Sequence, residues 1–167
     1  MHRRLFLAFP LLGAAITEPF AKEHESRITL DGTTFAWQHR DDRLFGDLTA
    51  PAAGWLAVGF NDEPALRGTR FVIGVIGDAS VRAELHIADP PRHRQIEAHG
   101  GMSDIRDLKG KQENGHSMLS FSLPHRSTDR FAVDLMPGRS IHLMLAWSNK
   151  PDFTHHSAWR RHVDVIL

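Results

Sequence analysis

Residues 54–76 read GWLAVGFNDEPALRGTRFVIGVI, and they constrain the fold more than any other stretch. Two apolar runs of strand length, 54–60 and 70–76, flank a polar turn that holds Asn61, Asp62, Pro64 and Gly68. In the first run Trp55, Ala57 and Gly59 share one parity and Leu56, Val58 and Phe60 the other, so neither face is polar. A strand with two apolar faces has to be covered on both, which places it in the middle of a packed architecture. The second run repeats the pattern, with Phe71, Ile73 and Val75 opposite Val72, Gly74 and Ile76. Together the two runs predict the centre of a sandwich core.

The remaining segments add shorter strands around that pair. SRITL, then Asp31-Gly32, then TTFAWQH is a hairpin pattern, because Asp-Gly tolerates the positive φ of a two-residue turn. Residues 43–50 alternate until Pro51 breaks them, and in 80–89 apolar Val81, Ala83, Leu85 and Ile87 alternate with Arg82, Glu84, His86 and Ala88. The second of these reads as a half-exposed strand. The longest irregular segment, 90–114, carries adjacent prolines, a Gly-Gly and many charges, with a short strand at about 94–98 and His93 and His99 as a mobile rim. Loops of that length often belong to binding rims. Strand alternation returns at 117–123 and 140–148, and HVDVIL at 162–167 closes the chain. Met118 and Met144 fall on these strands and read as core filler. Nine or ten short strands with regular turns and no amphipathic helix predict an all-β antiparallel sandwich or barrel.

At 167 residues the chain is one domain's worth, and its first segment is not part of that domain. MHRRLFLAFPLLGAAITEPFA has two arginines, an apolar stretch shorter than the ~20 residues that span a bilayer, and small residues near its end. It reads as an export signal over 1–21 with a domain at 22–167, and Arg3-Arg4 before Leu5-Phe6-Leu7 has features of a twin-arginine signal. The expected location is periplasmic or secreted, with no stable membrane span after signal removal. Removing the signal leaves 18 basic and 19 acidic residues from 20 of each, a nearly neutral surface without the basic footprint that nucleic acid requires. The chain has no cysteine, which excludes disulfides and covalent c-type haem attachment. It has no His-Glu-x-x-His helix, Gly-x-Ser-x-Gly elbow or phosphate-cradling glycine loop, so it is not expected to be an enzyme.

The order GWLAVGFN, LRGTRFVIGVI, GHSMLSFSLP, IHLMLAWS and a final HHSAWRRHVDVIL resembles the DOMON domain from about Ile28 to Leu167. The resemblance implies an immunoglobulin-like antiparallel β-sandwich of about nine to eleven strands, exported, that binds haem b or a sugar. In haem-binding members a methionine and a histidine hold the iron, and the domain passes single electrons. The methionine is expected two residues before the glycine of GTRFVIG, where this chain has Leu66. Leucine cannot ligate iron. The histidine of the pattern falls at His155 or His156, and spacing to the last strand favours His156.

A non-covalent haem b needs a hydrophobic slot, a neutral imidazole and often a soft thioether opposite it. Trp55, Phe60, Phe71, Ile73, Leu143 and Trp147 are the slot candidates. Met102, His86 and His99 are candidates for the second ligand, with a five-coordinate iron as the alternative, and Arg67, Arg70, Arg160 and Arg161 are candidates for pairing with propionates. The expected partner is a redox protein. The competing reading is a carbohydrate or other small-ligand module in the same slot, with the axial methionine lost at Leu66 and four tryptophans available for stacking. Twelve histidines also permit a loose copper or zinc site, although no short-motif spacing demands one.

Overall fold

The computed structural model describes residues 26–78 and 80–167. The export segment and its cleavage site lie outside the described residues. Eleven strands form two antiparallel sheets, as the alternation requires. One sheet contains β1 (Ser26–Leu30), β2 (Thr33–Arg40), β3 (Arg43–Ala50), β8 (Arg106–Glu113) and β9 (His116–Pro124), in the order β1-β2-β3-β9-β8. The other contains β4 (Trp55–Asn61), β5 (Arg70–Ile76), β6 (Val81–Asp89), β7 (Arg92–Gln95), β10 (Ser140–Trp147) and β11 (Trp159–Ile166), in the order β11-β10-β4-β5-β6-β7. The central pair of the sequence is thus the middle of the six-stranded sheet.

All seven residues of β4 are buried, and parity decides by what. Leu56, Val58 and Phe60 face the other sheet, where they meet Phe35, Leu48, Leu119 and Phe121 in the main core. Phe35 stacks on Trp37 at 5.6 Å and on Phe121 at 6.4 Å, and meets Phe60 edge-on at 6.0 Å. Trp55 and Ala57 face outward and join Phe71, Ile73, Ala88, Met144, Ala146 and Phe153 in a second apolar cluster. Across the outer face the register sets Ala146 beside Ala57 and Ala57 beside Ile73. One row along, Met144, Gly59, Phe71 and His86 lie side by side. A Cβ on Gly59 would stand 2.4 Å from the Phe71 ring, so glycine there lets that ring lie close to the strand.

The segment expected to be irregular is more ordered than its composition suggests. It supplies β7, a 3-10 turn at Glu97–His99 and all of β8, and the short strand begins two residues earlier than expected. The last strand begins at Trp159 rather than at 162 because Trp147 pairs with it across the β10–β11 hairpin. Met118 is not core filler. It is 43 % exposed, because the inward parity of β9 belongs to Leu119, Phe121 and Leu123.

Candidate functional site

The outer face of the six-stranded sheet carries a cavity of about 820 Å³, within the range of small-molecule and cofactor sites. Its floor is made of the small residues Ala57, Ala88 and Ala146 with Phe71, Ile73 and Met144. Leu66 stands at one wall, and the β7 edge contributes Arg92, His93 and Arg94. The loop between β10 and β11 adds Thr154, His155, His156 and Ser157, while Trp55 and Arg160 complete the rim.

Two loops give the cavity its walls. In the β4–β5 loop the Asn61 amide donates to the carbonyls of Ala65 (2.7 Å) and Arg67 (3.1 Å), and the Thr69 hydroxyl donates to Ala65 (2.9 Å). The Gly68 N–H donates to the Ala88 carbonyl and the Ala88 N–H to the Thr69 carbonyl, which ties the loop to β6, and Leu66 packs against the outer apolar cluster. The β10–β11 loop is closed at its base. Ser148 donates to the Trp55 carbonyl, Gly54 to Ser148, and Ala158 to Trp147. A Cβ at Gly54 would fall 2.2 Å from the Lys150 carbonyl oxygen, so only glycine allows this approach. Within the loop the Trp55 indole donates to the His155 carbonyl at 3.2 Å, and the Asp152 carboxylate accepts from both the N–H and the hydroxyl of Thr154 at 2.9 Å. Those bonds hold the Asp152 carboxyl below the usual carboxylate range. Phe153 anchors the loop between the edge of His86 at 6.0 Å and the Arg82 guanidinium at 4.4 Å.

Beside the floor runs a polar chain. His86, 7 % exposed, places Nε2 3.0 Å from a Glu84 carboxylate oxygen and Nδ1 2.8 Å from Nδ1 of His93. Burial pushes the His86 imidazolium below its ordinary range, partly offset by Glu84. Burial does the same to His93, reinforced by His86 and His156 and opposed by the Phe153 carbonyl. Both rings are therefore held neutral near pH 7, the form that ligates metals. Arg94 pairs with Asp89 at 3.5 Å, whereas among the described residues Arg92 and Arg160 form no ion pair.

Of the residues singled out from the sequence, the fold brings Trp55, Leu66, Phe71, Ile73, His155, His156, His99 and Arg160 to this cavity. It places the others elsewhere. Phe60 and Leu143 have the opposite strand parity and fill the main core. Trp147 packs at the edge of that core, its indole donating to the Thr33 hydroxyl and stacked 6.2 Å from Trp159. Arg67 is exposed and paired with Asp89, Arg161 pairs with Asp31, and Arg70 is buried against Asp104. Met102 is 58 % exposed, with its backbone N–H on the Asp129 carboxylate, and does not line the cavity. Sequence reasoning missed His93 and Arg92 as cavity residues and Met144 as part of its floor. For Met144 the usable signal was parity, because it alternates with Leu143 and Leu145 on β10, whereas the place of His93 is set by its pairing with Ala88 on the outward face of β6, which the local sequence does not encode.

No protein-family model matches the sequence, and no curated protein matches it. Solved structures do. The cytochrome b domain of pyranose dehydrogenase from Coprinopsis cinerea superposes with a TM-score of 0.61 at 14% identity, over 85% of this chain and 81% of that one. The cytochrome domain of Myriococcum thermophilum cellobiose dehydrogenase superposes with a TM-score of 0.58 at 12% identity, over 86% of this chain and 81% of that one. At such identity the likeness speaks of architecture. The chain therefore has the fold of these cytochrome domains, the β-sandwich that its resemblance to the DOMON domain implies.

Proposed function

We propose that the chain is a b-type haem-binding module that passes single electrons to or from a separate redox protein. The observation that carries this reading is the composition of the cavity. A floor of alanines and Phe71 leaves room for a planar macrocycle, imidazoles stand at its walls, and at its rim stand two guanidinium groups that form no ion pair among the described residues. That donor set fits haem b. Trp55, Phe71, Ile73 and Met144 would exclude water from one side, and Arg92 and Arg160 would take the propionates as bidentate or point-charge partners. His156 would supply one axial imidazole, and His155 is the less suited of the two because its backbone is pinned at both N–H and carbonyl. Bound haem supplies a one-electron iron couple whose potential is set by axial ligands and burial.

The amino-terminal segment supports export to the periplasm or beyond. With no catalytic group of its own in this reading, the chain exchanges electrons and transforms no substrate. Carbohydrate binding is served less well. Of the four tryptophans only Trp55 lines the cavity, and it is 4 % exposed with its N–H already committed.

The test is a visible spectrum of the protein exported with haem available, oxidised and then reduced with dithionite. A Soret band with resolved reduced bands, lost in His156→Ala while far-ultraviolet circular dichroism is unchanged, is the expected result. A colourless, folded protein that takes up no added hemin would end the haem reading.

A further inference from the structure

We propose that His93 is the second axial ligand, so that the haem site is closed by two histidines and the thioether expected at Leu66 is replaced from the neighbouring strand. The inference rests on the haem reading above and names the group that reading leaves open.

The argument begins with position. Leu66 packs against the outer apolar cluster that contains Ala88, and two reciprocal backbone bonds between 68–69 and 88 fix its loop to β6. Across the β6–β7 ladder Ala88 pairs with His93. The imidazole thus stands one strand away from the place where the family pattern puts sulfur, and both residues line the same cavity. Of the methionines, Met102 is exposed outside the cavity, whereas Met144 lies in the floor beneath it.

Hydrogen bonding then selects the tautomer. The Glu84 carboxylate only accepts, so the His86 nitrogen 3.0 Å away carries its proton and donates. The other His86 nitrogen is left as an acceptor, and the His93 Nδ1 2.8 Å away must donate to it. A neutral His93 ring whose proton sits on Nδ1 has an unprotonated Nε2, the metal-ligating form, so the Phe153 carbonyl beside the ring has to share that Nδ1–H or give way when the ring binds iron. A ligating histidine whose second nitrogen is held by an outer hydrogen bond is the usual way proteins fix ring orientation and raise basicity. Here that outer support has two links, His86 and Glu84, and both are drawn from a strand facing the cavity. His86 and Glu84 are positioning residues, since neither ring nor carboxylate of this pair lines the cavity itself.

His156 lines the same cavity from the β10–β11 loop, so the two imidazoles reach one site from different walls.

The test uses the full exported chain reconstituted with hemin and followed by electron paramagnetic resonance and near-infrared magnetic circular dichroism, which separate imidazole–imidazole from imidazole–thioether ferric haem. The expected wild-type signature is low-spin with two imidazoles. His93→Ala should still bind hemin but turn high-spin, with the low-spin signal restored by added imidazole. His93→Met should give the imidazole–thioether signature and a higher midpoint potential. Glu84→Gln should keep the ligands and shift the potential. If His93→Ala misfolds, His93→Met and His93→Gln carry the same comparison, read only in variants whose melting curves match wild type. A low-spin spectrum unchanged in His93→Ala, or a wild-type thioether signature lost in Met144→Leu, overturns the His93 assignment while leaving the haem reading intact. Failure of the folded wild type to take up hemin removes both.

Discussion

Along β4 and β10 the inward residues Leu56, Val58, Phe60, Leu143 and Leu145 are at most 1 % exposed and interlock with the aromatic rings of the opposing sheet. The residues between them, Ala57, Met144 and Ala146, are on average smaller, and they look out onto a cavity. The same strands therefore do two jobs by alternation. One face contributes stability through large, close-packed side chains, where every removed methylene leaves a void. The other keeps its side chains short so that a volume stays open, with Leu66, His93, His156 and Arg160 at its margins.

This contrast can be broken most directly at neighbouring β4 positions. Phe60→Ala is expected to cost about 3–5 kcal/mol, read as a lowered urea midpoint at unchanged slope. A loss no larger than that of a surface substitution would mean that the inward face is not the stabilising one. Ala57→Leu sharpens the comparison from the other side. It should leave stability within about 1 kcal/mol, because it grows into open space. Hemin affinity should nevertheless fall by roughly tenfold or more, ~1.4 kcal/mol per decade. Equal hemin binding in Ala57→Leu and wild type would show that the floor does not touch the ligand.

The smallest effect separates histidines that serve the cavity from those that do not. His39 on β2 lies 2.9 Å from His125, and burial followed by the His125 charge holds it below its ordinary range, as burial also holds His86, His93 and His162. A depressed imidazolium means that the unfolded chain binds more protons between the folded value and about 6.5, so stability rises with pH across that window. The melting temperature should accordingly fall as pH drops from 7.5 to 5. His39→Phe should reduce that fall without altering the hemin spectrum. A steeper fall in the variant would contradict the sign.

The sandwich was legible in the sequence because alternation and turn residues act locally, and the doubly apolar β4 announced its central place. What alternation cannot say is which of two apolar faces points inward. For that reason Phe60 and Trp147 were grouped with Trp55 and Phe71 as slot candidates, although the fold separates them. The same ambiguity misplaced Met118, whose neighbour Leu119 took the inward position. His93 was hidden for another reason. It sits in a short strand among prolines and arginines with no periodic signal, and its role depends on pairing with Ala88 and on a hydrogen bond to His86, neither written in local sequence. His155 and His156 were visible as candidates, and the pinned backbone around His155 adds to the spacing that favours His156.

The bonds among Gly54, Trp55, Trp147, Ser148 and Ala158 bring the two ends of the β10–β11 loop together at the rim of the sheet. A loop with joined ends is a cassette: its exposed positions between 149 and 157 can be exchanged without changing the register of the strands on either side, provided that the buried Phe153 and the Lys150 carbonyl that accepts from Trp55 are kept. For a protein engineer, the cassette offers a route to a different ligand or partner on this scaffold while the core stays untouched. Gly54 is the one position in its base that tolerates no side chain, and it marks where such grafts must stop.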